Sequence, residues 1–138
     1  PVTNNAEVDQ PGRRIVVGQG SAYDLYLTRE IKDAELIRAP NSQVVVNHFV
    51  TYHLDVAAGV KQQLQADAVH YPGLRLLPGR FMVIEQAMGL PKGRGSAATD
   101  TLFEYVEEMK TSGFIAKALD RHRIEGASVA PRTAKAQL

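Results

Sequence analysis

Short β-branched runs alternate with longer stretches of helical spacing along the first 70 residues of the chain. The runs predict three strands, which are RRIVV (13–17), AELIRA (34–39) and LDVAA (54–58). The stretches that follow them predict helices over 21–31, from 40 to about 53 and from 60 to about 70. Strands that alternate with helices in this way predict an α/β fold with a mainly parallel sheet flanked by helices.

The apolar positions of the first two helices predict which sides are buried. In the first helix the buried side is formed by Leu25, Leu27 and Ile31. In the second helix it comprises Val45, Val46, Phe49 and Val50. Ser21 is a candidate N-cap of the first helix, and Asp24, three residues on, is its candidate capping-box partner.

The second half of the chain carries two more strand-like runs and two helices. The runs are LRLL (74–77) and FMVIEQAM (81–88), separated by PGR. After a loop of glycine, proline and basic residues (89–96), a helix from about 98 to 111 is predicted by the spacing of Leu102, Phe103, Val106 and Met109. Gly113 breaks this helix, and FIAKALDRHRI (114–124) predicts a short last one. The lead-in (1–12) predicts a loop and the end of the chain (125–138) a floppy tail.

Composition excludes several classes of function. An apolar fraction of 44% in 138 residues suits one domain or one lobe with its own core. A net charge of +1, with scattered basic residues, argues against a nucleic-acid partner. The absence of cysteine excludes disulfides, cysteine nucleophiles and thiolate metal sites. No run approaches the about 18 apolar residues of a membrane span, and a chain that begins at Pro1 is expected to have been trimmed.

A glycine turn between the first strand and the first helix is the main candidate for a ligand site. In VVGQGSAYDLYL (16–27), Gly18 and Gly20 lead into a helix whose first amides and positive dipole end suit a phosphate or carboxylate. A dinucleotide site would need a third glycine at Tyr23 and an acidic residue near Arg38. The turn therefore favours a small anion or carboxylate, with a purely structural turn and a dinucleotide site as the alternatives.

A second helix start, at Asn41 and Ser42, is a further candidate source of hydrogen-bond donors. Helix starts in a parallel sheet gather at the carboxyl edge of the strands, which is where ligands bind. Two starts on neighbouring strands would therefore face one site, although each of them alone could be a simple cap.

The remaining polar residues give no support for catalysis or metal binding. The four histidines lack metal-ligand spacing; they are His48, His53, His70 and His122. The sequence has no serine–histidine–acid order and no paired carboxylates, and Glu85, within a strand-like run, is expected to face solvent or to line a cleft. We therefore predict no catalytic residue, no metal and no cofactor.

The order of the segments resembles the second lobe of the bacterial family 3 extracellular solute-binding proteins, the periplasmic receptors of ABC importers. DQPGRRIVVGQGSAYDLYLTREIKDAELIRAPN (9–41) resembles the start of that lobe, and LDVAAGVKQQL (54–64) resembles its next segment. LRLLPGRFMVIEQAMGLPKGRG (74–95) resembles the strand that returns toward the first lobe. LFEYVEEMKTSGFIAKALDRHRI (102–124) resembles the C-terminal helices of the family.

This resemblance implies one lobe of a type II periplasmic-binding-protein fold, in which two lobes clamp a solute. Residues 1–88 would be the second lobe, and residues 89–138 the C-terminal loop, helices and tail that pack on the first lobe. The chain would then be a fragment of a periplasmic, non-enzymatic protein whose partners are a small solute and the membrane subunits of an ABC importer. Without a first lobe, the apolar C-terminal helices would fold back or pack on a second copy, as a homodimer.

The resemblance also implies which residues bind the ligand. Gly20 and Ser21, followed by Ala22 and Tyr23, would receive a ligand carboxylate. In DVAAGV, Asp55 matches an aspartate that is usually structural, and Val60 stands where the family usually has a carboxylate for the ligand ammonium. Lys61 follows and favours additional negative charge. The implied ligand has a carboxylate and no conventional α-ammonium clamp, such as an organic acid or a modified amino acid.

Three other classes of protein stay open at this point. An enzyme on the same scaffold, such as a dehydratase-like relative, would need an acid or base in the cleft, for which Glu85 is the candidate. A dinucleotide-binding α/β domain is a less favoured reading of the glycine turn. A sensor lobe fused to a signalling protein would keep the binding site without the importer.

Overall fold

A computed structural model describes residues 2–134 of the chain. The chain forms two compact units, Pro1–Ile84 and Glu85–Leu138. The described residues of the first unit form three strands and three α-helices, in the order β1 Arg14–Gly18, α1 Ala22–Glu30, β2 Glu35–Ala39, α2 Val45–Thr51, β3 Val56–Ala58 and α3 Lys61–Ala68. Short 3-10 turns over Asn5–Glu7 and Ser42–Val44 precede β1 and α2. The second unit contains α4, Ser96–Thr111, and α5, Phe114–Arg121.

The three strands form one parallel sheet in the order β2-β1-β3. The register places Val17 of β1 beside Arg38 of β2 on one side and beside Ala58 of β3 on the other. The central strand β1 is covered on both faces, so its β-branched residues are fully buried. The predicted α/β fold with a parallel sheet flanked by helices is therefore confirmed.

Two apolar clusters sandwich the sheet. Ile15 and Val17 point to one face, where they pack with Leu27 of α1 and with Ala58. Val16 points to the other face, and there it packs in a cluster completed by Ala39, Val45 and Leu54. This alternation follows from the two-residue period of a strand.

The predicted burial of Leu25 is wrong, because this side chain is 57% exposed. Two residues on a helix are about 200° apart, so Leu25 and Leu27 lie on nearly opposite sides. Leu27 faces the sheet and is buried together with Asp24, three residues before it. The capping carboxylate, rather than Leu25, therefore occupies the inner side of the first turn of α1.

The two strands predicted at 74–77 and 81–88 are not formed. The described residues from 74 to 90 contain bends and irregular backbone but no strand or helix. Apolar alternation gives only a preference for extended backbone, whereas a strand exists when its N–H and C=O groups pair with a neighbour. That pairing is missing here, and β3 is also shorter than predicted, at Val56–Ala58.

Two aspartates hold the amino edge of the sheet, at the start of the strands. The carboxylate of Asp9, in the lead-in, accepts the amides of Lys32, Asp33 and Ala34 at 2.8–2.9 Å, just before β2 begins. These three amides hold the pKa of Asp9 below its ordinary value. Asp55 accepts the amide of Arg14 at 2.8 Å. The predicted lead-in loop is thus tied to the sheet.

The second unit is a pair of helices with an attached C-terminal segment. Gly113, at φ +79°, lies in the left-handed region and ends α4 as predicted. Glu107, buried on α4, accepts a hydrogen bond from Lys110, which lowers the pKa of this carboxyl, and accepts the amide of Thr133 at 3.1 Å. Contrary to the predicted floppy tail, the chain is therefore held at Thr133; residues 135–138 lie outside the described part. On α5, the side chain of the first residue, Phe114, is 60% exposed.

Candidate functional site

The carboxyl edge of the sheet brings together all the residues predicted to bind a ligand. β1 leads through Gly20 and Ser21 into α1, β2 leads through Asn41 and Ser42 into the turn before α2, and β3 leads through Val60 into Lys61 of α3. Because the strands are parallel and adjacent, these three helix starts lie along the same edge.

The first two helix starts are in direct contact at Gly18. A Cβ atom at Gly18 would lie 2.7 Å from the N, Cα and Oγ atoms of Ser42. Only glycine therefore allows the turn after β2 to approach the end of β1 this closely. The sequence marked Gly18 as part of a turn, but its neighbour is a residue 24 positions away that only the sheet register brings to it.

Most amides of the glycine turn are already used within the chain. The amide of Gln19 donates to the carbonyl of Ala39 at 2.9 Å, and that of Ser21 donates to Gly18 at 3.1 Å. The amide of Gly20, predicted to bind a ligand, donates instead to Asp24 Oδ2 at 2.9 Å. Gly20 thus holds the turn in place rather than offering an amide to a ligand, because its N–H is bonded to the capping carboxylate of Asp24.

Asp24 is the centre of a buried network behind the turn. Its carboxylate is bound by Arg38 through Nε–Oδ1 at 3.0 Å and by the hydroxyl of Thr28 at 3.2 Å. Arg38 Nη2 also donates to Thr28 Oγ1 at 2.8 Å. The Gly20 amide, with help from Arg38, holds the pKa of Asp24 below its ordinary value. The negative charge next to the helix start is therefore neutralised by Arg38, whose role the sequence did not indicate.

Three donors at the start of α1 are left for a ligand. In the described part of the chain, no hydrogen bond uses the amides of Ala22 or Tyr23, the first two residues of the helix. The Ser21 hydroxyl accepts the amide of Asp24 at 3.1 Å, which leaves its hydrogen free to donate. These two amides and one hydroxyl are the groups with which the turn can bind an anion.

Tyr23 contributes through its backbone and not through its hydroxyl group. Its ring packs against the ring of Phe81, with centroids 5.7 Å apart, and against the core cluster around Ile15. Burial raises the pKa of the Tyr23 phenol, so the side chain is a neutral, largely apolar group at this edge.

The second and third helix starts contribute different groups. Asn41 Oδ1 accepts the amide of Gln43 at 3.0 Å, so the Asn41 side chain is used as a cap. Val60 is 39% exposed and has no side-chain cap bond. Lys61 is exposed, and among the ion pairs of residues 2–134 it takes part in none. Lys61 is therefore an exposed cation at the edge that forms no ion pair with any described residue.

Asp55 and Glu85 are the remaining candidate residues. The Asp55 carboxylate accepts the Arg14 amide at the amino edge of the sheet, at 2.8 Å. Glu85 is exposed, in a segment of the second unit without a strand. Within residues 2–134, no group of three or more histidine, aspartate or glutamate side chains could hold a metal, and no helix is long and apolar enough to span a membrane.

A cavity of about 770 Å³ runs beside β3 in the first unit. At the carboxyl edge it is bordered by Tyr23, Gly59 and Lys61, and its far wall is the irregular segment from Gly73 to Met82. This cavity therefore lies next to the outer edge of β3 and reaches the carboxyl edge at Tyr23, Gly59 and Lys61.

The fold and the site together define a class: a parallel α/β lobe with three helix starts gathered at the carboxyl edge of its sheet. Comparison with protein-family models gives no match to the chain, and comparison with curated proteins gives none either. The likeness to solute-binding proteins therefore stays a prediction that depends on the residues described above.

Proposed function

We propose that the chain is the substrate-binding component, or one lobe of it, of a periplasmic ABC-importer receptor that captures a small carboxylate-bearing solute. The observation that carries this proposal is the donor set at the start of α1, where the amides of Ala22 and Tyr23 and the Ser21 hydroxyl donate to no group within residues 2–134. A helix start with free amides is a site for an anionic group. A receptor with this lobe needs a second lobe and hinge closure to enclose the solute.

The charges around these donors favour an acid without an ammonium group. Asp24, the one carboxylate at the start of α1 in the described residues, is paired with Arg38, and Val60 supplies no charge. An ammonium group bound there would lose water without gaining a counter-charge, which costs several kcal/mol. Lys61 adds a positive charge at the third helix start. The solute class that fits is an organic acid, or an amino acid whose α-amino group is modified.

The proposal also includes a location and two kinds of protein partner. The membrane subunits of an importer and the periplasm follow from the likeness to solute-binding proteins, and a second copy of the chain is a partner for the face that includes Phe114. An enzyme on this scaffold has no observation in its favour, since Glu85 lies exposed outside any strand.

The test is a titration of the full chain with small acids, followed by the amide signals in two-dimensional NMR. We expect lactate and succinate to shift the amides of Ala22 and Tyr23, with affinities in the millimolar range because one lobe contributes few contacts. Lys61→Gln should weaken this binding about two- to five-fold, the effect of one exposed charge.

Two comparisons make the titration decisive. Lys32→Gln is the matched control, because Lys32 lies at the amino edge beside Asp9 and should not affect binding. An unmodified amino acid such as glutamine should bind more weakly than lactate. Tighter binding of glutamine, or shifts confined to residues away from the carboxyl edge, would contradict the proposal.

A further inference from the structure

The outer edge of β3 carries backbone groups without partners. The amide of Asp55 donates to Arg14 at the start of β1. Because successive residues of a strand point their N–H groups to opposite sides, Ala57 also faces β1, whereas Val56 and Ala58 face away from it. No described residue outside the sheet accepts a hydrogen bond from either of these two amides.

These unpaired groups are not on an open surface. Ala58 is only 5% exposed, and the cavity of about 770 Å³ lies directly beside β3. A backbone N–H that is withdrawn from bulk water is nearly always paired in a native protein. The edge of β3 therefore needs a partner that fits an extended, apolar slot.

Residues 74–77 (LRLL) form the opposite wall of this slot. They are three leucines and one arginine, they line the cavity, and their backbone is irregular. Within the described segment 74–82, the backbone N–H with a backbone partner is that of Leu74, bound to Tyr71 at 3.3 Å. The cavity is thus lined both by β3, with the unpaired amides of Val56 and Ala58, and by a segment with little backbone pairing among the described residues.

The ends of the segment already set its direction. Arg75 donates through Nη2 to the carbonyl of Val2, in the lead-in that Asp9 holds at the amino edge. Phe81 packs on Tyr23 at the carboxyl edge. The path from Arg75 to Phe81 therefore runs from the amino to the carboxyl edge, parallel to β3. Its first part, Leu74–Leu77, has four residues and is long enough to lie beside the three residues of β3.

The connection also has the length and content of a parallel crossover. Between Ala58 and Leu74 the chain contains α3, Lys61–Ala68, and short loops. A parallel pair needs a crossover of a dozen or more residues, usually with a helix, and the β3–α3–segment path has both. We propose that Leu74–Leu77 docks on β3 as a fourth parallel strand, which fills the cavity and pairs the amides of Val56 and Ala58.

Residue-resolved amide exchange by NMR on the full chain tests the docking. We expect the amides of Val56 and Ala58 to exchange at least about 100-fold more slowly than unpaired amides. Ala57 is the internal control, because β1 protects it whether or not the segment docks. Rapid exchange at Val56 and Ala58, together with slow exchange at Ala57, would overturn the proposal.

A matched pair of proline variants distinguishes strand pairing from simple filling of the cavity. In a docked strand, the N–H groups of Leu76 and Leu77 point to opposite sides, so only one of Leu76→Pro and Leu77→Pro removes a bond to β3. We expect protection at Val56 and Ala58 to fall in one variant and to persist in the other. Equal protection in the two variants would contradict a strand.

Docking has a consequence for ligand binding that rests on the proposed function. The carboxyl end of a fourth parallel strand lies at the same edge as the ends of the other three, so it places Arg80 beside Lys61. Arg80→Gln should then weaken binding of succinate about two- to five-fold and leave the protection of Val56 and Ala58 unchanged. Lys32→Gln, at the amino edge, is again the control.

The two proposals can fail separately in this experiment. If succinate does not bind the unsubstituted chain, the proposed function fails, while the exchange rates at β3 still decide the docking. If succinate binds and Arg80→Gln binds it equally well, the role of Arg80 is wrong, and the solute site is retained.

Discussion

Replacing Gly18 by alanine is expected to destabilise the first unit by about 2–3 kcal/mol. The added Cβ would lie 2.7 Å from two backbone atoms of Ser42, and backbone atoms cannot turn away as a flexible side chain can. Gly18 is buried at the end of the central strand, so relief requires β1 and the turn before α2 to separate. The same separation would move the first two helix starts apart and weaken binding of any solute held between them.

Gly59→Ala is the matched control for this substitution. Gly59 follows β3 as Gly18 ends β1, in the same register of the sheet. Its added Cβ would meet only the side chain of Leu64, whose nearest atom, Cδ2, lies at an ordinary 3.5 Å, so we expect a change below about 1 kcal/mol. Urea unfolding of both variants measures the difference. Equal stability of Gly18→Ala and Gly59→Ala would contradict the close approach at Ser42.

Replacing Asp24 by asparagine is expected to cost about 2 kcal/mol of unfolding free energy at pH 7. The change removes the ion pair with Arg38, and it replaces the charged acceptor of the Gly20 amide by a neutral one. Both effects occur at a buried position on α1. Asp33→Asn is the control, because Asp33 is exposed and makes no ion pair within residues 2–134. Thermal or urea unfolding gives the two values.

The pH dependence of this difference has a defined sign. Folding lowers the pKa of Asp24 below its ordinary 3.8, because the Gly20 amide and Arg38 favour the ionised form. The resulting stability is fully present above the unfolded pKa and is lost as the pH falls through the folded pKa. The gap between the natural chain and Asp24→Asn should therefore be constant near neutral pH and narrow below about pH 4. A gap that widens on acidification would contradict the network around Asp24.

Local signals in the sequence predicted the elements whose causes are local. The first two strands were predicted at 13–17 and 34–39 and are found at Arg14–Gly18 and Glu35–Ala39. Ser21 caps α1 as predicted, because its bond to Asp24 lies within one helical turn. The edge at which the candidate residues meet was also predictable, since parallel strands place their following helix starts together.

Features that depend on register or on pairing were not predictable in the same way. Arg38 binds Asp24 because β2 lies beside β1 in one particular alignment, and no spacing between the two residues indicates this. The Gly20 amide could donate either to the capping carboxylate of Asp24 or to a ligand. In the structure it donates to Asp24, and a sequence pattern does not show which acceptor is preferred. The run at 74–77 has the composition of a strand, but its state depends on whether β3 receives it.

The sheet order also has a consequence for the time at which the first unit can fold. Among residues 2–134, all paired strand residues lie between Arg14 and Ala58, so the three-stranded sheet is encoded before Glu85, where the second unit begins. Ribosomes add about 5–20 residues per second, so synthesis of residues 85–138 takes roughly 3–10 s. Domains with long-range pairing fold within milliseconds to seconds. The parallel sheet can therefore form during translation, while the helices of the second unit are still being added.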